Sequence, residues 1–391
     1  MTERLLLRGG RLFDGMEFRG VGDVLVEDGL ISRIGAHVRE GDARVLDCSG
    51  ATVMPGLVDA HVHLAWAGLE PPPSSTAEST ARALRNAREL VLAGVTTIRD
   101  TGGPLDVLRA VRQSCSLGPD MRLSGEILCA PGGHGTEIPL AVPIARECCG
   151  ASEFATAVQE LLHGGADLVK VSLNGADGTL QLTDGELSSV VGTAHAAGAR
   201  VAAHASVAAA VVQAVAQGVD TVEHGNGLDA ATAAAMADAG LTLVPTVAIF
   251  EEIREQLSSS RHSLPEDLVA QHRCAVEHRL IDHRGALAAA RAAGVRVALG
   301  TDRVPGGNVV AVHAEATALQ RHGFSTAEVL RAATTGSCAA LGLADRGALA
   351  PGYRADVVAF PGDLETDLTG LAAPRLVVQA GDVLASDLTS S

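Results

Sequence analysis

From Val53 onward the chain alternates short runs of β-forming residues with helical stretches, and this alternation restricts its possible folds more than any other feature. Eight such β runs, each followed by a connection able to hold a helix, predict an α/β protein with parallel strands closed into a (β/α)8 TIM barrel. The eight runs are residues 56–63, 95–100, 121–127, 167–173, 200–206, 220–224, 241–246 and 295–302. Glycine closes the clearest helical stretches, as is typical of helix C-termini. These stretches are residues 75–94, 151–165, 183–198 and 207–218.

An open, doubly wound sheet is the alternative arrangement for alternating strands and helices. It is less favoured, because no G-x-G-x-x-G motif follows the first strand and because the strands number eight. Short strand patterns also occur near both ends of the chain, around glycine and aspartate. We expect residues 1–52 and 346–391 to form one small composite β-sandwich beside a catalytic barrel of residues 53–345.

Two predicted connections are longer than the usual loop. They follow the third and seventh strands and cover residues 126–150 and 247–265. Long loops in a compact domain are usually functional. We therefore expect both to act as lids over the site and to select the substrate.

Composition excludes several classes of partner. The formal net charge is −16 and aromatic residues make up only 2%, so neither a basic nucleic-acid surface nor an aromatic stacking platform is expected. The sequence shows no apolar run suited to a bilayer and no apolar signal-peptide region. Seven scattered cysteines do not suggest a disulfide framework. We expect a cytoplasmic protein that acts on a small molecule, and the sequence leaves homo-oligomer formation open.

Two histidines, His61 and His63, end the first predicted barrel strand in the segment DAHVHL. Residues two apart on a strand face the same side, so both imidazoles should point towards the barrel axis at its carboxyl end. Converging imidazoles suit a divalent metal ion, although a lone His-x-His is equally consistent with structural or surface histidines. Ligand-type residues also stand near the ends of four other strands, namely Lys170, His204, His224 and Asp302. Six such residues on one rim favour a metal centre.

The lysine in the apolar segment LVKVSL requires its own explanation, since burial of an ammonium group is costly. Lys170 is compatible with three states. It is a neutral amine with a lowered pKa, or it pairs with a carboxylate such as Asp100, or it reacts with carbon dioxide to form a carbamate. The carbamate is an anion with two oxygens that could bridge two cations.

The chain resembles the amidohydrolase superfamily over essentially its whole length. The matching segments are PGLVDAHVHL, VTTIRDTGG, GGHG, LVKVS, VAAHAS, GVDTVEHG, LGTD, ATTGSCAALGL and RGALAPGYRADVVAF. It is most similar to the branch that contains imidazolonepropionase-like hydrolases and metal-dependent Xaa-Pro dipeptidases, the prolidase-like enzymes. The resemblance implies a (β/α)8 barrel with a small β-sandwich built from both termini, as the strand pattern also predicts.

The resemblance also implies a centre of two divalent metal ions. The implied ligand pairs are His61 with His63 for the more buried ion, and His204 with His224 for the second. Carbamylated Lys170 would bridge the two ions, and Asp302 would bind the first ion and handle the proton. Zinc is the expected metal, although manganese, cobalt or iron would suit the same nitrogen and oxygen ligands. The implied reaction is hydrolysis by a metal-bridging hydroxide.

The favoured substrate bond is an amide-type C–N bond in a peptide, an N-acyl amino acid, a lactam or a carbamate. Deaminases of this fold usually hold one metal ion and carry a glutamate three residues after the strand-five histidine, where this chain has Val207. They also lack the bridging lysine, so Lys170 argues against a mononuclear-type deaminase. A lactone or ester hydrolase stays open as a further alternative. A catalytically inactive scaffold is less favoured, because such relatives have typically lost ligands that are present here.

Three further residues are candidate substrate contacts. In related enzymes a histidine at the place of His134 often hydrogen-bonds the scissile carbonyl or its oxyanion, and the alternative here is a surface loop histidine. Arg303 follows Asp302 and either captures a substrate carboxylate or forms a structural salt bridge. Trp66 follows the His-x-His strand and either lines the site or packs beneath the rim.

Four histidines cluster after the seventh predicted strand: His262, His272, His278 and His283. Their spacing places them on different faces of a helix, and their neighbours are charged. We therefore expect a solvated helix rather than a second metal site.

Overall fold

The computed structural model describes residues 4–39, 41–65, 73–136, 142–175, 177–258, 266–302 and 311–388. Within them the strands are β1 (Leu5–Phe13), β2 (Phe18–Glu27), β3 (Leu30–Gly35), β4 (Arg44–Asp47), β5 (Ala51–Pro55), β6 (Leu57–Val62), β7 (Val95–Asp100), β8 (Asp120–Leu123), β9 (Ile127–Cys129), β10 (Ala145–Glu147), β11 (Leu168–Ser172), β12 (Arg200–Ala205), β13 (Thr221–His224), β14 (Thr242–Val244), β15 (Arg296–Val297), β16 (Val357–Pro361), β17 (Leu376–Gln379) and β18 (Asp382–Ser386). The α-helices are α1 (Thr76–Leu92), α2 (Leu105–Ser114), α3 (Ala151–His163), α4 (Asp184–Ala196), α5 (Ala208–Gln217), α6 (Ala230–Asp238), α7 (Val247–Ser258), α8 (Glu266–Ala293), α9 (Ala311–Arg321), α10 (Thr326–Arg331) and α11 (Ser337–Leu341). A π-helical turn, Ala332–Gly336, lies between α10 and α11, and a 3-10 turn covers Leu368–Ala372.

The barrel is built from the strands β6, β7, β8, β11, β12, β13, β14 and β15, which pair in parallel. Backbone hydrogen bonds join the run β6-β7-β8 to the run from β11 to β15. The Asp167 amide donates to the Leu123 carbonyl (2.7 Å) on one side, and on the other the Ala60 amide donates to the Leu299 carbonyl (2.8 Å) and the Asp302 amide to the His61 carbonyl (2.8 Å). The carboxyl ends of neighbouring strands therefore meet at one rim. The predicted TIM-barrel fold is confirmed.

The four helical stretches predicted from the sequence form α1, α3, α4 and α5. α4 begins with a capping box, in which the Thr183 hydroxyl accepts the Glu186 amide while the Glu186 carboxylate accepts the Thr183 amide. α5 ends at Gly218, whose φ of 72° is in the left-handed region that favours glycine. In the described part of the chain, no helix combines the length and apolarity that crossing a lipid bilayer requires.

Strands from both ends of the chain join in a second, mixed sheet with the order β18-β17-β16-β5-β1-β2-β3, in which β4 also pairs with β1. β5 runs antiparallel to β16, with Val53 opposite Ala359. The segment that enters the first barrel strand is therefore held by the C-terminal part of the chain. Some apolar side chains of this sheet, such as Val53 and Val357, form their own buried cluster, whereas their neighbours Met54 and Val358 belong to the larger cluster around the barrel.

The third barrel strand differs from its predicted range of 121–127. β8 ends at Leu123, and Gly125, at a φ of 72°, turns the chain before β9 begins at Ile127. Glycine permits this turn because it has no Cβ to clash in the left-handed region. β9 then pairs with β10 and β11.

The prediction of a long loop over 247–265 is wrong for its first part, because Val247–Ser258 form α7; residues 259–265 lie outside the described range. A buried carboxylate explains how the helix starts. Oε1 of Glu315 accepts the Val247 amide (3.0 Å) and Oε2 accepts the Ala248 amide (2.7 Å). The first amides of a helix have no partner within it, and here a side chain from α9 provides one.

Candidate metal centre

Three side chains converge at the carboxyl end of the barrel: His61 in β6, His63 just beyond it and Asp302 after β15. One ligand atom from each lies within 4.8 Å of the other two. Oδ1 of Asp302 is 3.5 Å from Nε2 of His61 and 3.3 Å from Nε2 of His63. Among the described residues this buried oxygen makes no hydrogen bond of acceptable geometry. Two nitrogens and one carboxylate oxygen thus face a common point, which is an arrangement that zinc-like ions bind.

Hydrogen bonds fix how the two histidines present their rings. Nδ1 of His61 lies 2.7 Å from Oε2 of Glu223, and Nδ1 of His63 lies 2.8 Å from the carbonyl oxygen of Gly102. A carboxylate and a carbonyl can only accept, so Nδ1 carries the hydrogen and Nε2 offers a lone pair. Burial lowers the pKa of His61 to about 4, which keeps this ring neutral near pH 7.

A row of imidazoles extends from this cluster across the rim. The ring centroids of His61 and His224 are 5.4 Å apart, those of His224 and His204 are 4.6 Å apart, and those of His204 and His134 are 4.4 Å apart. Burial holds the pKa of both His204 and His224 well below the usual value, and neighbouring imidazoles add to this effect. The positive charge of Arg279 also lowers the pKa of His204. Both rings are therefore neutral near pH 7 and able to bind a metal.

Lys170 lies at the centre of β11 and is only 2% exposed. Its Nζ has no hydrogen-bond partner within the described ranges. Its charge contributes to the lowered pKa of three candidate ligands, His61, His204 and His224. Burial lowers the pKa of Lys170 itself to about 8. A neutral amine is thus accessible close to physiological pH.

The structure excludes the alternative in which Lys170 pairs with Asp100. Both carboxylate oxygens of Asp100 accept backbone amides, that of Leu64 at 2.8 Å and that of Gly102 at 3.1 Å. Asp100 thereby fixes the chain on both sides of the His63 imidazole. The lysine amine stays without a carboxylate partner among the residues described.

Lys170 is also the only lysine in the chain, whose 30 lysine and arginine residues are otherwise all arginine. Arginine stays protonated in proteins, whereas a buried lysine readily loses its proton. A single lysine, placed where it is buried and without a partner, therefore fits a chemical requirement for an amine rather than for a positive charge.

An ion pair inside the barrel supports His61. Arg99 is 1% exposed and donates to Oε1 of Glu223 (2.7 Å) and to the Thr221 hydroxyl (2.9 Å). Glu223 is completely buried and uses its other oxygen for the His61 ring. Burial disfavours the charge on Glu223, but Arg99, Lys170 and His61 together outweigh it and hold the pKa of this carboxyl below its usual range. The carboxylate is ionised and orients the imidazole.

Left-handed backbone conformations at the rim allow the side chains of adjacent residues to point into the same site. Side chains of neighbouring strand residues normally point to opposite faces, yet Glu223 and His224 both reach the barrel interior. His224 has a φ of 67°, which turns the chain out of strand geometry. Thr246, at 52°, and Asp302, at 49°, do the same after β14 and β15, and the Thr246 hydroxyl lies 2.7 Å from Nδ1 of His224. Strain of this kind concentrates at functional sites.

Asp59 ties the strand carrying the two histidines to the segment carrying Asp302. Its Oδ1 accepts the Thr301 amide (3.0 Å) and the His61 amide (3.2 Å), and its Oδ2 accepts the Thr301 hydroxyl (2.7 Å). The adjacent Gly300 leaves no room for a side chain, since a Cβ there would lie 2.7 Å from the Cβ of His61. These contacts fix the spacing between the histidines and Asp302.

These side chains fit a divalent metal centre. Imidazole nitrogens, an ionised carboxylate and an amine without a hydrogen-bond partner among the described residues share one buried rim, and divalent metal ions prefer such nitrogen and oxygen donors. The position at the carboxyl ends of barrel strands is also where enzymes of this fold place their active sites.

Comparison with known proteins agrees with this arrangement. Residues 52–384 match the amidohydrolase family. The chain belongs to the amidohydrolase family. An ochratoxinase of Aspergillus niger is 28% identical over 363 residues, which cover 83% of this chain and 73% of that protein. An uncharacterised protein of Mycobacterium bovis is 30% identical over 354 residues, or 89% of each chain.

Solved structures extend the likeness. A prolidase complexed with N-methylphosphonate-L-proline superposes on this amidohydrolase with a TM-score of 0.87 and 26% identity, over 98% of this chain and 100% of that one. The resemblance inferred from the motifs, including its prolidase-like branch, is confirmed.

In this amidohydrolase, Glu223→Gln should weaken zinc binding by about 10- to 100-fold, the usual cost of losing an outer-shell partner of a ligand. Arg99, His61 and the Thr221 hydroxyl all donate to Glu223. A glutamine offers one accepting oxygen and must turn its NH2 group towards one of them. Zinc affinity is measured by competition with a chromophoric chelator. Glu328→Gln, on α10, is the matched control, and unchanged affinity in Glu223→Gln would contradict the role given to this carboxylate.

The prediction that His283 lies on a solvated helix is wrong, because His283 is fully buried. Its ring centroid is 5.2 Å from that of Phe250, and burial lowers its pKa to about 4. It belongs to a buried stripe of α8 with the helical spacing i, i+3, i+4 and i+7, formed by His283, Ala286, Leu287 and Ala290. That spacing was present in the sequence. His278 is exposed, whereas His262 and the side chain of His272 lie outside the described residues.

Of the three candidate substrate contacts, only His134 lies within the described residues. His134 is half-buried and stacks on His204, with 22° between the ring planes. Trp66 and Arg303 lie outside the described residues, so their roles stay predictions. Three charged residues that support the centre were not singled out from the sequence: Asp59, Arg99 and Glu223. The available signal was a charged residue inside an apolar strand, which requires a buried partner.

Proposed function

We propose that the chain is a binuclear metal-dependent amidohydrolase that cleaves an amide-type C–N bond in a peptide, an N-acyl amino acid, a lactam or a carbamate. One observation carries the proposal. The unpaired Asp302 oxygen, the His61 and His63 nitrogens and the unpaired Lys170 amine share one buried rim. Membership of the amidohydrolase family and relatives named ochratoxinase and prolidase support a hydrolytic reaction.

The chain offers ligands for two ions. His61, His63 and Asp302 would hold the more buried ion, and His204 and His224 the second. The neutral amine of Lys170 would add to carbon dioxide through Nζ, lose a proton and become a carbamate with one oxygen for each ion. This reaction removes the cost of a buried ammonium group and supplies an anion where cations gather. We expect zinc at both positions.

When bound, the metal ions supply a water of lowered pKa and polarise the substrate carbonyl. Asp302 accepts the proton of that water and delivers it to the departing amine. Its carboxyl suits this role, because its interactions with His61 and His63 outweigh the effect of burial and lower its pKa to about 2, so that it is ionised at neutral pH. His134 would hydrogen-bond the carbonyl oxygen as negative charge develops on it.

Two alternatives within the family are less well supported. A mononuclear-type deaminase would place a glutamate at position 207, where Val207 precedes α5 and offers no proton-transferring group. It would also have no use for the unpaired amine of Lys170. A lactone or ester hydrolase could use the same ligands, and only substrate tests separate it from an amidase.

The proposal is tested by loading the purified protein with zinc and assaying dipeptides, N-acyl amino acids, lactams, carbamates and lactones, with Asp302→Asn as the inactive control. We expect turnover of at least one amide-type class at a rate that the control does not show. Ammonia release from amino-substituted heterocycles without amide cleavage would identify a deaminase. Turnover of lactones alone would identify the ester-cleaving alternative.

A further inference from the structure

A cavity of about 440 Å³ lies between the barrel and the mixed sheet built from both ends of the chain. Its walls include residues 294–297, where β15 begins, and residues of the π-helical turn. Met16, in the turn between β1 and β2, lines the cavity from the mixed sheet. The cavity is therefore at the amino end of β15, whereas the candidate metal centre lies beyond its carboxyl end. Boundaries between structural units are frequent places for small-molecule sites.

Three arginines and one glutamate supply the charges of this cavity. The arginines are Arg291, Arg296 and Arg331, and the glutamate is Glu328. Within the described ranges, none of the three guanidinium groups forms an ion pair with a carboxylate. The chain has 46 acidic residues against 30 basic ones, so acidic partners are not scarce. Three guanidinium groups without an ion-pair partner at one cavity therefore indicate a site for an anion.

The carboxylate of Glu328 is already engaged within the protein. Its Oε2 accepts the Ser325 amide (2.7 Å) and the Ser325 hydroxyl (2.6 Å) in the capping box at the start of α10. These hydrogen bonds, together with the positive charges of Arg291 and Arg331, lower the pKa of Glu328. The carboxylate is therefore ionised at neutral pH and compensates one of the three positive charges. Two positive charges are left for a ligand.

The guanidinium groups are held in place but keep donors for a ligand. The guanidinium carbon of Arg291 lies 5.5 Å from the centroid of the Phe324 ring, within the range of a cation–π contact. Arg296 and Arg331 each donate one N–H group to a backbone carbonyl, at 3.3 and 3.2 Å. A guanidinium has five N–H groups, so most of these donors have no acceptor in the described part of the chain. Side chains that are already restrained lose little entropy when a ligand binds.

The rest of the lining is largely apolar, and its backbone is tightly packed. Phe324, Val295 and Met16 contribute apolar surface. A Cβ at Gly336 would lie 2.4 Å from the carbonyl oxygen of Val297, so the π-helical turn approaches β15 as closely as a glycine permits. π-Helical turns occur frequently at functional sites. The cavity thus offers apolar surface beside three cationic groups.

We propose that this cavity binds a phosphate monoester with a small apolar group, at a site separate from the one that binds the substrate. A phosphate monoester carries about 1.5 to 2 negative charges at pH 7, which matches the two uncompensated positive charges. Guanidinium groups bind phosphate oxygens through pairs of parallel N–H bonds. The apolar group would pack against Phe324 and Met16, so the ligand would join the barrel to the mixed sheet. The inference does not depend on the proposed amide hydrolysis.

The test uses isothermal titration calorimetry with phenyl phosphate and the whole, zinc-loaded chain. Because phosphate groups also bind zinc, the titration is repeated on protein treated with a chelator. We expect one binding event that is common to both forms, since none of the residues that line the cavity is a candidate metal ligand. Binding that disappears with the metal would place phenyl phosphate at the metal centre and overturn the inference, and so would the absence of any binding.

Arg291→Met should weaken the common binding event by about 10- to 100-fold, the usual range for a hydrogen bond to a charged group. Methionine keeps a long apolar side chain against Phe324, so the wall of the cavity is retained. Arg296→Met, at an exposed position, is a second variant that should fold and should weaken binding by a similar factor. Unchanged affinity in both variants would contradict the site.

The mixed sheet offers a matched control. The guanidinium carbon of Arg11 also lies near a phenylalanine ring, 5.6 Å from the centroid of Phe18, but Arg11 pairs with Asp363 (3.0 Å) and does not line the cavity. Arg11→Met removes the same charge and the same type of stacking, and it should leave the binding of phenyl phosphate unchanged. An equal loss in this control would reduce the effect to the net charge of the protein and refute a specific site.

Related ligands test the chemical class. Benzoate has the ring but only one negative charge, and inorganic phosphate has the charge but no apolar group. Each should bind at least about tenfold more weakly than phenyl phosphate. Equal binding of benzoate would overturn the assignment of a phosphate, and equal binding of inorganic phosphate would overturn the assignment of an apolar group.

Discussion

Lys170→Ala should lose at least one of the two metal ions per chain and should lower kcat/KM by more than about 100-fold, because loss of an outer-shell partner alone already costs about 10- to 100-fold. The wild type should hold two divalent ions by elemental analysis. Under the proposed function, the variant loses the group that would connect the two ligand sets. Full metal loading in the variant would refute the carbamate.

Lys170→Arg is the sharper variant. It keeps a positive charge and a long side chain in β11, but a guanidinium does not become the neutral nucleophile that carbamate formation needs. If Lys170 serves as a cation, this variant should keep its metal and its activity. If Lys170 serves as a carbamate, the variant should resemble Lys170→Ala. Circular dichroism and melting temperature of the metal-free proteins establish that both variants fold.

The pH dependence of metal uptake gives an independent check. The pKa of Lys170 is lowered to about 8, so the neutral amine rises from about a tenth of the population at pH 7 to about half at pH 8. Carbamate formation uses the neutral amine. The rate at which metal-free protein takes up zinc in the presence of bicarbonate should therefore increase between pH 6.5 and 8.5.

A single lysine makes this chemistry visible by spectroscopy. Bicarbonate labelled with carbon-13 should give one side-chain carbamate signal in the wild type, because no other lysine can react. The signal should be absent from Lys170→Arg. A wild type that binds two metal ions without this signal would leave the binuclear centre intact and overturn the bridge.

The sequence was sufficient to predict the parts of this protein that follow strand periodicity. Barrel strands are buried on both faces and appear as short apolar runs, so the eight strands could be recognised and ordered. His61 and His63 could be placed on one face because they are two residues apart on a strand. For Asp302, the sequence predicted only that a polar residue ends the strand of residues 295–302. That it approaches within 3.5 Å depends on barrel closure, which no local pattern contains.

The residues that sequence reasoning missed act where that periodicity fails. Glu223 directly precedes a predicted ligand, and regular strand alternation would point the two side chains to opposite faces, but the φ of 67° at His224 brings both to the interior. α7 was mistaken for a loop because its start is stabilised by Glu315, which lies at least 67 residues further along the sequence. His283 was wrongly predicted to be solvated. Its charged neighbours were given more weight than the apolar residues Ala286, Leu287 and Ala290, which lie on the same face of the helix. For α7, a long-range contact overrides the local signal.

Asp302→Asn should lower kcat by about 10²- to 10⁴-fold, the range expected when a group that transfers a proton is lost. Asparagine keeps the shape of aspartate and tolerates the left-handed backbone at this position, where φ is 49°. It cannot accept the proton of the attacking water and then return it to the leaving amine. KM should change little, because the substitution removes an interaction that matters in the transition state rather than in substrate binding.

Metal content separates the two roles of Asp302. The proposal gives it both a bond to the more buried ion and the transfer of the proton, so the variant should bind that ion more weakly and should stay inactive even when excess zinc restores full occupancy. Recovery of activity at high zinc would reduce Asp302 to a ligand and leave the proton to another group. Asp106→Asn is the control, since the Asp106 side chain on α2 is completely exposed and its loss should alter neither metal binding nor kcat. Full occupancy without turnover would show that the fixed spacing between Asp302 and the two histidines serves the chemistry as well as the metal.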